Sequence, residues 1–282
     1  MPWYFSDIYF NIFRILRSLR LISTIKTTKM NNVRFTKNNG VGILILDSPK
    51  RKNALNSVDM LLLRDILSRE TQSDIYALII SGSGNVFCSG ADLSEIISII
   101  GKNKKDQELQ SNDMSKLCDA IQSFPLPTVC ALNGSAYGGG VEIACACDFR
   151  ISVSNIEIMV PPAKIGIHYH PAGIKRFLNI FGASATKRLL LTATKMSEKE
   201  LKNLGFFDEI INEGENIIEK AQDFIKQCKE LSPEAVRGMK LSINDILMDN
   251  VNIQSFNSRI RKTLESQYLE RQLKSIKEKN SK

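Results

Sequence analysis

The chain has 282 residues, 43% of them apolar and 24% charged, with 8 prolines and 16 glycines, which excludes disordered, collagenous and low-complexity classes and leaves one large or two modest globular domains. A chain this long buries enough surface to hold a core without a disulfide or a structural metal. The net charge of +8 is shared between a short leader and a long body: residues 1–29 hold Arg14, Arg17, Arg20, Lys26 and Lys29 against Asp7, a net +4, so the body carries only the other +4, which argues against a nucleic-acid surface.

Residues 1–29 are poor in acids and set Ile12, Phe13, Ile15, Leu16 and Leu19 between the arginines. That composition fits a mitochondrial transit peptide, with a leader upstream of Met30 as the other reading. The protein is accordingly expected in the mitochondrial matrix, or in the cytoplasm if the segment is not a transit peptide. Its apolar stretches are too interrupted by arginine to span a bilayer. From Met30 the expected organisation is an α/β core over residues 30–195 and a helical C-terminal region over residues 196–282.

The core opens with a hairpin over residues 32–47, because Asn39-Gly40 separates two β-rich runs. Ser57 is the expected N-cap of the next helix, followed by a strand at 77–81. Helix 114–124, strand 128–132, helix 141–147 and strand 149–152 continue the alternation that marks an α/β fold. Helices are expected over 183–191, 197–204, 215–231 and 232–248, and one long polar helix over 251–279. The Lys- and Gln-rich stretch 101–113 reads as a solvated loop.

The six cysteines, Cys88, Cys118, Cys130, Cys145, Cys147 and Cys228, form no CxxC pair and lie at no zinc-ligand spacing from His168 or His170, the only histidines. They read as reduced core residues, and no metal is expected. Two glycine-bearing segments, residues 84–93 and 133–142, each lead from a strand into a helix. Glycine lets the backbone approach a ligand closely, and a helix start leaves N–H groups unpaired at its positive end. Two such ends facing one point form an oxyanion hole. Neither segment fits GxGxxG or a P-loop.

The pair, about 48 residues apart, resembles the F-x-x-G-A-D-L and N-G-x-A-x-G-G-G-x-E signatures of the crotonase superfamily, the enoyl-CoA hydratase/isomerase family. The resemblance runs over residues 31–250 and takes in Arg51 to Asn56, Cys147-Asp148 and Lys164 to Ile167. It implies a spiral of strand-strand-helix units, a C-terminal helical region that makes trimers or hexamers, and a coenzyme A thioester as substrate with no separate cofactor. It also implies an oxyanion hole from the N–H groups of Ala91 and Gly139, flanked by Gly90, Asp92 and Gly138, and puts Arg51, Ala54 and Leu55 near the nucleotide end of coenzyme A.

Glu142 matches the first of two glutamates used in hydration, but the second position holds Pro162. The segment after it is similar instead to the methylmalonyl-CoA decarboxylase branch, which has a tyrosine at the position of Tyr169. That branch has a histidine where this chain has Ala91, so its contact to a carboxylate would fall to His168 or His170. The expected activity is thus an acyl-CoA lyase acting through a thioester enolate, decarboxylase-like on malonyl-type substrates, with Glu142 and Tyr169 as the side chains at the site. A hydratase or isomerase of fatty-acid or amino-acid breakdown that uses Glu142 is one alternative. A non-catalytic acyl-CoA- or RNA-binding member is another.

Overall fold

Asn39 and Gly40 both adopt positive φ, 50° and 78°, the turn geometry that matches the twist of two antiparallel strands. Val33–Asn38 (β2) and Val41–Leu46 (β3) therefore pair with Asn38 opposite Val41, as the Asn-Gly signal predicts. The computed structural model describes residues 28–30, 32–71, 73–99 and 112–280. The leader, apart from its last two residues, and most of the loop expected over 101–113 lie outside the described residues. Thr28–Met30 (β1) adds an edge strand to β2, so the described sheet reaches two residues upstream of Met30.

After β3 come the helix Ser57–Glu70 (α1) and then three successive units of strand, strand and helix. The first is Ala77–Gly82 (β4), Val86–Cys88 (β5) and Leu93–Ile99 (α2). Asp113–Gln122 (α3) leads to the second, Thr128–Leu132 (β6), Ser135–Tyr137 (β7) and Gly139–Ala146 (α4). The third is Phe149–Ser152 (β8), Glu157–Met159 (β9) and Pro171–Leu191 (α5). In each unit the first strand joins a seven-stranded sheet and the second a four-stranded sheet. The glycine-bearing turns lie between the second strand and the helix, so they all open at the same end of the small sheet.

Strand period explains the layering. In β3, β4 and β6 one set of side chains, Val41, Ile43, Ala77, Ile79, Val129 and Ala131, packs in one cluster with Ala221 and Ile225. The alternate set, Leu44, Leu46, Leu78, Ile80, Cys130 and Leu132, packs in another with α1, α3 and the small sheet. Both faces of the large sheet are covered, which is why its strands read as nearly continuous apolar runs. All six cysteines are free, five buried and Cys228 half-buried.

The structure corrects several sequence expectations. Asn56, not Ser57, caps α1: its side chain accepts the Asp59 N–H over 2.8 Å while Asp59 accepts the Asn56 N–H over 3.3 Å, the reciprocal box that favours Asn. The expected helix at 183–191 extends back to Pro171 across a break at Gly182. The region from 196 onward is not purely helical, since Met196–Ser197 (β10) completes the small sheet and Glu209–Ile210 (β11) the large one. Between and after them lie Glu198–Asn203 (α6), Ile217–Ile225 (α7) and Pro233–Leu247 (α8). The single long helix expected over 251–279 is two, Ile253–Leu264 (α9) and Gln267–Asn280 (α10). They separate at Ser266, whose hydroxyl accepts the Leu269 N–H over 3.3 Å and so starts a new helix without glycine or proline.

Lys240 on α8 ties this region to the core. It is only 8% exposed, and its Nζ lies 2.6 Å from Asp148 Oδ2 and donates to Leu126 O over 2.8 Å. Burial lowers the Lys240 pKa, and Asp148 opposes that shift. Lys240→Met should therefore cost about 3 kcal/mol, seen as a lower denaturation midpoint and faster proteolysis after α7. An unchanged midpoint would show that α8 is held by its apolar contacts alone.

Candidate active site

The two glycine-bearing turns meet back to back. Gly90 has φ +90°, and a Cβ placed on it would lie 2.6 Å from Gly139 N; one on Gly140 would lie 2.2 Å from Cys88 O. Side chains at these two positions would drive the turns apart, so only glycine lets them touch.

A parallel bridge between Leu55 and Ala91 then aims the first of the two expected donors. The Leu55 N–H donates to Gly90 O over 2.9 Å and Leu55 O accepts the Asp92 N–H over 2.9 Å. In such a bridge the middle residue's own N–H and C=O point the other way, so the Ala91 amide faces away from Leu55. The Gly90 N–H is held by Cys88 Sγ at 3.3 Å, and burial pushes that thiol up to about 12. The second donor, Gly139, is the first residue of α4, where the helix supplies no partner for an N–H.

Both donors line one cavity of about 160 Å³. Of the sequence-predicted residues, Ala91, Gly138, Gly139, Glu142, His168 and Tyr169 line it, and so does Pro162. The remainder of the wall is largely apolar, with Leu93, Met114, Pro161, Ile165 and Ile167. Gly90 and Leu55 act from behind the wall, through the bridge. Ala54 and Asp92 sit off the cavity. Arg51 donates to Asp92 Oδ2 over 2.8 Å, to Ala54 O over 3.2 Å and to Asp59 Oδ2 over 3.5 Å. Its guanidinium is thus engaged by the protein, although the side chain is 39% exposed. Asp92 is held below the usual carboxylate range by the Ser94 hydroxyl and amide first and by Arg51 after them.

Glu142 is 1% exposed. Burial raises its pKa, and Arg176 on α5 pulls it back. The Arg176 guanidinium, itself 2% exposed, donates to Glu142 Oε1 over 2.8 Å and to Gln122 Oε1 over 2.9 Å, and pairs with Asp119. Sequence reasoning misses Arg176. Its signal is a lone charge on the apolar face of a helix, one residue before Phe177 and three after Gly173.

Tyr169, expected as an orienting group, lies at the cavity beside Glu142. The residue lines the wall, and its hydroxyl is buried with no hydrogen-bond partner among the described residues. Burial and the Glu142 charge push the phenol well above its ordinary value. His168 is exposed at the rim. His170, which the sequence offers only as an alternative, caps α5 and contacts Ser115.

Among the described residues no cluster of metal ligands occurs and no helix is long and apolar enough to cross a membrane. The sequence pattern described as enoyl-CoA hydratase/isomerase matches residues 36–280. The chain is 31% identical over 210 residues to the ethylmalonyl-CoA decarboxylase of Mus musculus, covering 73% of this chain and 65% of that protein. It thus spans about two thirds of the length of that relative. It is 31% identical to the Homo sapiens ethylmalonyl-CoA decarboxylase, covering 73% and 68%. Over 220 residues it is 30% identical to the enoyl-CoA isomerase/hydratase fer4 of Mycosarcoma maydis, covering 73% and 77%. The crystal structure of an enoyl-CoA hydratase from Bacillus anthracis superposes with a TM-score of 0.78 at 24% identity, covering 88% of this chain and 97% of that one. Signature turns, fold and sequence match agree: the chain belongs to the enoyl-CoA hydratase/isomerase family of the crotonase superfamily.

Proposed function

We propose that the chain is an acyl-CoA lyase that decarboxylates malonyl-type coenzyme A thioesters. The observation that carries this reading is that Glu142 is the single carboxylate at the cavity among the described residues. Hydration by two carboxylates needs one group to activate water and another to deliver a proton, whereas the second position is Pro162 and Glu142 is paired with Arg176. Decarboxylation needs neither. The bond to the carboxylate breaks, its electron pair passes toward the thioester oxygen, and the Ala91 and Gly139 N–H groups stabilise the enolate that results. An apolar wall favours this direction, because it solvates neutral carbon dioxide better than the carboxylate that precedes it. The likeness to ethylmalonyl-CoA decarboxylases supports the same reading.

A second reading rests on Glu142 as a lone base for double-bond isomerisation, supported by its place on the cavity wall and by the likeness to the isomerase/hydratase. Incubation with methylmalonyl-, ethylmalonyl- and 2-enoyl-CoA and mass spectrometry of the products separates the two. Loss of carbon dioxide is expected. Glu142→Gln should hold decarboxylation within about tenfold of wild type, because a general base contributes about a hundredfold or more only where a proton must be taken. Rapid hydration or isomerisation by wild type, abolished in Glu142→Gln, with malonyl-type thioesters untouched, would overturn the lyase reading. The exposed Met239, Ile243, Ile260 and Leu273 on α8 to α10 are the surface on which the expected trimer would assemble, in the mitochondrial matrix if residues 1–29 act as a transit peptide.

A further inference from the structure

His170 is held from two helix starts at once. It is the N-cap of α5, and its Nδ1 accepts the Ala172 N–H over 3.3 Å. Ser115, in the first turn of α3 and 3% exposed, brings its hydroxyl to 3.0 Å from the same nitrogen. A backbone amide only donates, so Nδ1 only accepts. The Ser115 hydroxyl then shares the single Nδ1 lone pair with that amide, and the ring carries its proton on Nε2. Both residues line the cavity that holds the Ala91 and Gly139 amides. With Nδ1 anchored, the edge of the imidazole left for a ligand is the Nε2–H.

We propose that the His170 Nε2–H is the donor that holds the substrate carboxylate and sets its angle to the thioester plane. The proposal rests on the lyase reading. Decarboxylation requires the breaking carbon–carbon bond to lie along the π system of the thioester carbonyl. Two amides pin the carbonyl oxygen, and a third contact at the carboxylate fixes the remaining torsion. The Tyr169 hydroxyl, shielded beside Glu142, does not supply that contact. A neutral donor suits this position, because a lysine or arginine would stabilise the carboxylate more than the carbon dioxide it becomes, and ground-state binding of that kind raises the barrier. In the step itself the carbon–carbon electron pair becomes the enolate and carbon dioxide leaves its hydrogen bond. The α-carbon then takes a proton from water, and the hydroxide left behind combines with carbon dioxide as bicarbonate. His170 neither gains nor loses a proton, and Ser115 is a positioning residue.

The test separates the cap from the donor. In His170→Asn the side-chain oxygen still accepts the Ala172 N–H, as a good N-cap does, but no donor reaches the former Nε2 position. The value of kcat/KM for methylmalonyl- and ethylmalonyl-CoA should fall roughly 10- to 100-fold, the range for a lost hydrogen bond to a charged group. The Kd of butyryl-CoA, which has no such carboxylate, should stay within about twofold by calorimetry, since no bond to it is lost. His170→Gln, which restores an N–H near that position, should recover part of the rate. Nitrogen-15 spectra of the imidazole should show Nε2 protonated in wild type and still in Ser115→Ala, because the Ala172 N–H continues to occupy Nδ1. Wild type that decarboxylates while His170→Asn keeps full kcat/KM, or an imidazole protonated at Nδ1, overturns this assignment alone. Wild type that decarboxylates no malonyl-type thioester overturns the lyase reading with it.

Discussion

Gly139→Pro should slow turnover of every accepted thioester by about a hundredfold to a thousandfold, the usual cost of losing one oxyanion donor. Position 139 is the first residue of α4, where proline's fixed φ is compatible with the helix and its missing N–H removes no helical bond. The substitution therefore deletes the proposed donor while leaving the helix in place. Its steric cost is visible: a Cβ at 139 would come within 2.6 Å of Met114 Cε and 2.8 Å of its sulfur, the flexible end of a side chain that can move. Gly139→Ala carries the same added carbon and retains the N–H. The ratio of kcat between the alanine and proline variants, with melting temperatures measured alongside, isolates the donor. Equal rates in the two would remove Gly139 from the oxyanion hole.

Arg176→Met should be the most destabilising single change at the site, at about 3 to 5 kcal/mol, because it leaves the Glu142 charge buried without its partner. For a chain of this size that is a drop of roughly 10 °C in melting temperature. The pH dependence has a definite sign. Burial already raises the folded pKa of Glu142 above its ordinary value of 4.5, and Arg176 opposes that shift. Removing Arg176 raises it further, so between 4.5 and the new folded pKa the native state binds more protons than the unfolded one. Stability of the variant then falls as pH rises through that window. The gap in melting temperature between wild type and variant should be smaller near the acid end of the window than at neutral pH. Adding Glu142→Gln to Arg176→Met should recover much of the loss, since no uncompensated charge remains. A gap that does not change with pH would mean that Arg176 acts through Asp119 and Gln122, not Glu142.

The same residues show where local pattern stops. Arg176 lies 34 residues from Glu142, and Asp119 lies 57 residues back from Arg176. No periodicity links positions at such distances, so a sequence reading finds the glutamate through its motif and misses the cation that controls it. A family resemblance singles out Tyr169, yet the direction of its hydroxyl depends on how α5 packs over α4. Arg51, similarly, stands in a segment with a recognisable place in the family, while its pairing with Asp92 and Asp59 comes from the approach of the turn after β5 to the first turn of α1.

What the amino-acid sequence determined by itself was local. Asn39-Gly40 specified its hairpin, because few residues tolerate two successive positive φ angles. The apolar runs at 77–81 and 128–132 specified buried strands, and the two glycine-bearing turns pointed to expected donors at helix starts. Tertiary structure alone decided the rest. The three strand-strand-helix units have no common spacing in the chain, and only their pairing into two sheets brings their turns to one end. β10 and β11 are two residues long each, too short for period-two alternation to register, and form because an existing sheet edge offers them partners. The break at Ser266 arises where a side chain outcompetes the helical bond, with no glycine or proline to announce it. The aim of the Ala91 amide, finally, depends on the bridge to Leu55 some 36 residues earlier. Donors on a backbone leave almost no trace in side-chain identity, which is why the direction of the proposed ones had to come from the fold.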